Sequence, residues 1–264
     1  MNTGSLGDEL KNTAALSFKD VSFAYPGAEQ PVLEHISFEV AKGSFTSVIG
    51  ASGSGKTTLF RLLNRFEKLT KGEILVEGAP IETLKTVASY MPQEDTLFPW
   101  LNVQENVCLP MKVRKIPKKE REEQAGRLLR QVGLDGWEKS RVSELSGGMR
   151  QRAAFARTLC AGEDLLLLDE PFSALDSITR ISLQEWLLEQ WEELGKTILF
   201  VTHDVEEAIF LSEQVMVLKG KPVNEVQIVP IPLPRERTRE MLMRPEILEL
   251  KEMLIRSLQS EAQI

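Results

Sequence analysis

Phe45-Thr46-Ser47-Val48-Ile49-Gly50-Ala51-Ser52-Gly53-Ser54-Gly55-Lys56-Thr57 is the stretch that decides the fold. Its first five residues form a short buried-strand pattern that ends in glycine, and Leu59, Leu62, Leu63 and Phe66 follow at helical spacing. A strand therefore passes through a glycine loop into a helix. Gly50 to Thr57 matches G-x-x-x-x-G-K-S/T, in which backbone N–H groups and the positive end of the helix wrap phosphate oxygens. Glycines are needed there because side chains would block the approach. Lys56 is placed to neutralise β- and γ-phosphate charge, and Thr57 to offer its hydroxyl to Mg²⁺.

Working outward, Leu16/Phe18 and Ile36/Phe38/Val40 partly alternate with polar residues, as half-buried antiparallel strands do, and Ile74 and Val76 between Gly72 and Gly78 predict another. From about Leu101 to Cys160 the chain reads as mostly helical. Pro117 stands near a helix start there, and Leu128, Leu129 and Val132 lie on a buried side. Parallel-sheet signals return at Leu165 to Leu168 and Thr197 to Val201, separated by a helical stretch with Leu183, Trp186, Leu187 and Trp191, as in a βαβ unit. Beyond Lys221 comes a proline-spaced strip, Pro230, Pro232 and Pro234, then an amphipathic helix from about Arg244 to Leu258.

The expected fold is therefore α/β, a P-loop NTPase (RecA-like) core with an antiparallel β subdomain and an inserted helical subdomain. Within a single domain over 1–264, residues 14–94 and 161–220 are expected to form the nucleotide-binding core with the β subdomain. Residues 95–160 would be the helical subdomain and 221–264 a C-terminal extension.

Composition narrows the class. The 264 residues are 42% hydrophobic and 27% charged, ordinary globular usage, so neither disorder nor a fibrous repeat is indicated. Against 39 acidic residues stand 32 Lys and Arg, and the net charge of -7 makes nucleic acid an unexpected partner. Cys108 and Cys160 are the only cysteines and show no CxxC spacing, which argues against a disulfide framework or zinc knuckle and fits a reducing cytoplasm. Met1 to Asn12 lack a basic segment followed by an apolar one, and no run of roughly 18 apolar residues occurs, so neither export nor a membrane span is expected.

Two further motifs bear on chemistry. Leu165-Leu166-Leu167-Leu168-Asp169-Glu170-Pro171 is an apolar strand ending in two acids, at the sheet edge where open α/β folds bind ligands. By itself this is an ordinary strand end. Downstream of a P-loop, Asp169 is placed to hold Mg²⁺, directly or through water, and Glu170 to polarise an attacking water. Between the two motifs lies Leu145-Ser146-Gly147-Gly148-Met149-Arg150-Gln151-Arg152. Ser146 can cap the helix that follows, and the two glycines leave N–H groups bare at a positive helix end, a second phosphate site.

In this order the motifs resemble the ATP-binding cassette family, whose LSGGQ element stands here as LSGGM. The resemblance covers nearly the whole chain. It implies two cassettes facing head to tail, with ATP on one P-loop completed by Ser146, Gly147 and Gly148 of the other. Gly50, Ala51, Ser52, Gly53, Ser54, Gly55, Lys56, Thr57 and Thr58 would hold the nucleotide. Tyr25 would stack on adenine. Gln93 would touch Mg²⁺ and the water, and Asp176 of Ser173-Ala174-Leu175-Asp176 would couple the two sites. His203 would hydrogen-bond the γ-phosphate, an imidazole's dual capacity suiting that role. Glu170, His203 and Gln93 form the implied catalytic set; Thr57, Gln93 and Asp169 form the implied metal set. Met149 departs from the usual Gln, which affects little because Ser146 and the backbone carry the phosphate contact.

The string Phe98 to Val107 and the tail Pro232 to Arg237 are similar to the nitrate/sulfonate/taurine importer branch. That likeness implies an ATP-hydrolysing importer subunit, peripheral on the cytoplasmic face of the cell membrane and bound to integral-membrane permease subunits. A second ATP-binding subunit, most simply another copy, would complete it, and a solute-binding protein would act indirectly. Phe98 and Trp100 would anchor a helix of the membrane subunit, the alternative being burial in the helical subdomain. The basic cluster Lys112 to Arg121 reads as a solvated face or a lipid contact. The competing function is a soluble ABC ATPase that clamps protein or nucleic acid; a P-loop kinase is disfavoured by the LSGG element.

Overall fold

The computed structural model describes residues 14–262, so the reading of Met1 to Asn12 lies outside the described residues. Along the chain, β1 (Ala14–Phe23), β2 (Leu33–Ala41) and β3 (Phe45–Ile49) precede the glycine loop and α1 (Lys56–Leu63). Next come β4 (Lys71–Val76), β5 (Ala79–Pro80), β6 (Ser89–Met91), α2 (Val103–Val113), α3 (Lys118–Gln131) and α4 (Gly147–Leu159). Then β7 (Leu165–Asp169), α5 (Ser177–Leu194), β8 (Thr197–Val201), α6 (Val205–Leu211), β9 (Gln214–Lys219), β10 (Glu225–Pro230) and α7 (Pro245–Ala262) complete the path.

Two compact units emerge. The first comprises 14–88, 165–167 and 191–262 of the described residues. It holds an antiparallel sheet in the order β2-β1-β4-β5 and a second sheet whose strands run β10-β9-β3-β8-β7. β3 is parallel to both β8 and β9, so all five of its residues are buried, as a central strand covered on both faces requires. Trp191 packs edge-on against Phe45 at 5.6 Å between ring centroids, and its indole N–H donates to the Gly43 carbonyl at 3.1 Å. The polar end of a large apolar ring is thereby satisfied inside the core.

The strand pattern differs from expectation at β1. Ala15, Leu16, Ser17 and Phe18 are all buried, so both faces of β1 are covered there instead of one. β2 keeps the alternation, with Ile36, Phe38 and Val40 inward, and Phe18 stacks on Phe38 at 4.4 Å. A second difference is Phe66, which lies past the end of α1 and is 59% exposed. The helix stops at Leu63 because Arg65 takes a left-handed φ of 58° and its guanidinium donates to the Ile81 and Leu84 carbonyls. The final helix begins at Pro245, where proline loses no helical hydrogen bond, and extends to Ala262.

The second unit, 89–164 with 168–190, contains β6, the last two residues of β7, helices α2 to α4 and most of α5. Helix α2 begins with a capping box: the Asn102 side chain accepts from Glu105 N–H at 2.8 Å while Glu105 accepts from Asn102 N–H at 2.9 Å. Val107, Met111, Ala125, Leu129 and Phe155 are fully buried in this unit. Ser146 caps α4, accepting from the Met149 N–H at 3.3 Å.

Candidate active site

In the first unit the glycine loop leaves β3 at Gly50. A Cβ there would stand 2.5 Å from Ser54 Oγ, and one on Gly55 would stand 2.8 Å from a Val32 methyl while its φ of +84° already disfavours any side chain. Gly53 is different: its φ is +78° and a Cβ would meet nothing, so glycine serves the backbone turn and keeps the surface above it open. Helix α1 starts with no side-chain cap and no acid in its first turn. Its leading N–H groups and dipole are therefore available to an anion.

The Lys56 ammonium donates to the Gly50 and Ala51 carbonyls at 2.8 and 3.0 Å, so it lies folded along the loop. Ser54 Oγ is buried with no hydrogen-bond partner, an orphaned group that an incoming oxygen would satisfy. Thr57 is exposed and Thr58 buried, the latter with its hydroxyl 3.2 Å from Tyr25 Oη. Tyr25, edge-on to Phe23 at 4.8 Å, is thus tied to the first turn of α1 and leaves part of its ring exposed. A cavity of about 370 Å³ is bordered by Val32, Ala51, Ser52, Gly53, Ser54 and the turn at Gly220. His203 lies in this unit too, exposed just beyond β8, followed by Asp204, which caps α6.

In the second unit Asp169 ends β7 and is 1% exposed. Glu170 follows at a φ of 49°, a conformation that non-glycine residues hold only when neighbours enforce it. Those neighbours are visible. Gln93 Nε2 donates to the Glu170 carboxylate at 3.2 Å, and the Glu170 carbonyl accepts from Gln151 Nε2 at 3.2 Å and from Ser173 Oγ at 3.0 Å. Gln151 also donates to Ser173 Oγ and accepts from the Ala174 N–H, at 3.1 and 2.9 Å. Buried Gln151 therefore locks the glycine-rich helix start to the loop after β7. No motif reading assigned it that task, because its partners stand 19 to 23 residues away in sequence.

Gly147, Gln93, Gln151, Ser173 and Ala174 border one open cavity of about 450 Å³. A Cβ at Gly148 would press to 3.3 Å on the Ala174 carbonyl, so that glycine is a close-packing requirement. Asp176 caps α5, accepting from the Thr179 N–H at 3.0 Å; that N–H, and then the Thr179 hydroxyl, hold its carboxyl below the usual carboxylate range. The structure thus gathers Tyr25 with the P-loop, and Gln93 with Glu170 and the Ser146–Gly148 segment.

Thr57, in the first unit, carries a hydroxyl and Asp169, in the second, a carboxylate, each a hard oxygen donor of the kind Mg²⁺ takes, and no group of three or more His, Cys, Asp or Glu side chains able to hold a metal occurs among the described residues. Magnesium characteristically keeps waters and binds through one or two carboxylates plus substrate phosphates. Phe98 and Trp100 are 41% and 75% exposed with rings 5.1 Å apart, so the reading of exposed aromatics holds over burial. Among the described residues, no helix is long and apolar enough to cross a membrane.

A strand-to-helix phosphate loop and an acid-terminated buried strand define a P-loop nucleotide-hydrolysing protein. Comparison with known proteins refines the class. Residues 33–173 match the family model described as ABC transporter. The formylaminopyrimidine import ATP-binding protein of Halalkalibacterium halodurans is 44% identical over 81% of this chain and 85% of its own length. The taurine import ATP-binding protein of Pseudomonas aeruginosa is 38% identical over 89% and 91%. An aliphatic sulfonates import ATP-binding protein of Bacillus cereus is 42% identical over 79% and 83%. A dimeric ATP-binding cassette solved with ADP and phosphate in a post-hydrolysis state superposes with a TM-score of 0.75 at 29% identity, covering 83% of this chain and all of that one. The chain belongs to the ABC transporter family, as an ATP hydrolase coupled to transport.

Proposed function

We propose that this chain is the motor subunit of an importer, energising uptake of a small solute from the cytoplasmic face of the cell membrane. Two copies would pair, and both would dock on integral-membrane permease subunits served by a solute-binding protein. Residues 14–94 and 161–220 would act as the nucleotide-binding core, 95–160 as the helical subdomain and 221–264 as an extension. The import names of relatives covering most of the chain support this direction of transport. A sulfonate- or nitrate-like oxyanion is the proposed solute class, in keeping with the sulfonate and taurine relatives.

The observation that carries the hydrolytic part is the restraint on Glu170, whose carboxylate is held by Gln93 and whose backbone is pinned by Gln151 and Ser173. A carboxylate so placed orients a water and accepts its proton, and Gln93 steadies both. Lys56, the P-loop N–H groups from Gly50 to Gly55 and Thr58 would bind the phosphates, while Tyr25 would take the adenine ring. Thr57, Asp169 and Gln93 would hold Mg²⁺, which supplies charge neutralisation on the phosphates. His203 would donate to the γ-phosphate. Ser146, Gly147 and Gly148 would offer N–H groups and a hydroxyl to the partner's nucleotide, with Asp176 relaying its state. The pair Phe98 and Trp100 would seat a membrane-subunit helix, as exposed aromatics commonly anchor interfaces.

Tagged Glu170→Gln protein, purified with ATP in gentle detergent from its native cells, tests the assignment by mass spectrometry of what accompanies it. Recovery of a multi-span membrane protein is the expected result. Recovery of only soluble proteins or nucleic acid from fully solubilised membranes would overturn it in favour of a soluble clamp.

A further inference from the structure

Helix α6 has only seven residues, too few to hold itself in water, so tertiary anchors fix its position. It starts immediately after the His203 turn. There the buried Glu207 carboxylate accepts the Thr202 hydroxyl, which itself accepts the Asp204 N–H at 3.0 Å. Asp204 in turn accepts from the Glu206 and Glu207 N–H groups at 2.9 and 3.2 Å. His203 therefore sits between two residues that are knotted to the first turn of α6. Glu206, in the same turn, is paired with Lys251 of α7 at 2.5 Å.

The other end of α6 is held by the C-terminal extension. Arg237 Nη1 donates to the carbonyls of Ile209, Phe210 and Ser212 at 3.5, 3.2 and 2.9 Å, satisfying acceptors that a helix end leaves without intrahelical donors. Its Nε donates to the Pro234 carbonyl at 2.8 Å, which fixes the guanidinium to the proline-spaced strip. Arg239 adds its guanidinium over the Phe210 ring at 4.5 Å. The strip thus grips the end of a short rod whose beginning carries the histidine turn.

We infer that Arg237 and Glu207 are positioning residues for His203, so that the C-terminal extension sets the geometry of the γ-phosphate contact through α6. The inference rests on the proposed role of His203. Neither residue touches nucleotide in this account; a cationic fork at the helix end and a carboxylate at its start act only through the rod between them.

Steady-state and single-turnover ATP hydrolysis by the full chain test it, with protein in excess in the latter so that low rates remain measurable. Arg237→Lys, which loses the fork but keeps the charge, and Glu207→Ala should each lower kcat about tenfold with KM for ATP within about twofold. Glu207→Gln, whose amide oxygen still accepts the Thr202 hydroxyl, should recover most of the rate. Arg237→Lys is used because Arg237→Ala leaves three carbonyls without that donor and threatens folding. In a His203→Ala background neither Arg237→Lys nor Glu207→Ala should lower the single-turnover rate further. Parental kcat in both single variants, or losses that multiply in the His203→Ala background, would overturn the inference. His203→Ala with parental turnover would instead remove the histidine's assigned role, and the inference with it.

Discussion

Glu170 shows how residue-scale strain and chemistry meet. A left-handed φ at a residue with a Cβ costs about 1–3 kcal/mol and persists only where surroundings over-determine it. Here three donors from Gln93, Gln151 and Ser173 supply that determination. The sequence made Asp169 and Glu170 legible as acids ending an apolar strand, because strand and motif are local. It did not reveal Gln151, whose role depends on contacts with a loop that only folding brings near. Cys160 illustrates a buried group with a pH signature. Burial pushes its thiol up to about 12 from 9.0, with Cys108 adding to the rise. Since the unfolded thiol ionises first, its contribution is intact below pH 9 and is lost as pH climbs from 9 toward 12. Urea unfolding of the parent and Cys160→Ala across this range should show the parent's advantage constant below pH 9 and shrinking above it. A constant advantage throughout would refute the burial account.

At the scale of elements, end signals read well where they are local in sequence. Ser146 at the start of α4 and Pro117 before α3 stand where the sequence predicts. Less legible was the end of α1, because the left-handed turn at Arg65 is stabilised by carbonyls some 16 and 19 residues away, not by a local glycine. Likewise β1 lost its predicted alternation because both of its faces are covered from Ala15 to Phe18, which a period of two cannot announce. Asn106 matters most to the loop before α2. Fully buried, it accepts from the Phe98 N–H at 2.8 Å and donates to the Phe98 and Asn102 carbonyls at 3.1 and 3.0 Å. Asn106→Ala strands these groups and should destabilise the chain by about 1–3 kcal/mol, read as a lower urea midpoint. An unchanged midpoint would show that the loop does not depend on this amide.

For the whole molecule, the fold class was legible because its diagnostic stretch, Phe45 to Thr57, couples a buried strand, a glycine loop and a helix within one short segment. Family membership followed from the order of three local motifs. Strand order within the sheet, with β3 between β8 and β9, was not, since it joins residues about 150 positions apart, as Phe45 beside Ile198. Nor was the strapping of α6 by the C-terminal strip, which needs the turn of the chain after β10.

The central claim is that ATP closes two such cassettes on one another and that Glu170 drives the hydrolysis that reopens them. Sedimentation of purified Glu170→Gln protein with and without Mg²⁺ and ATP tests this most directly, alongside its rate of phosphate release. The account predicts a monomer without nucleotide, a stable dimer with ATP, and phosphate release lowered by about a hundredfold or more. A protein that stays monomeric at saturating ATP, or that hydrolyses like the parent, would contradict it.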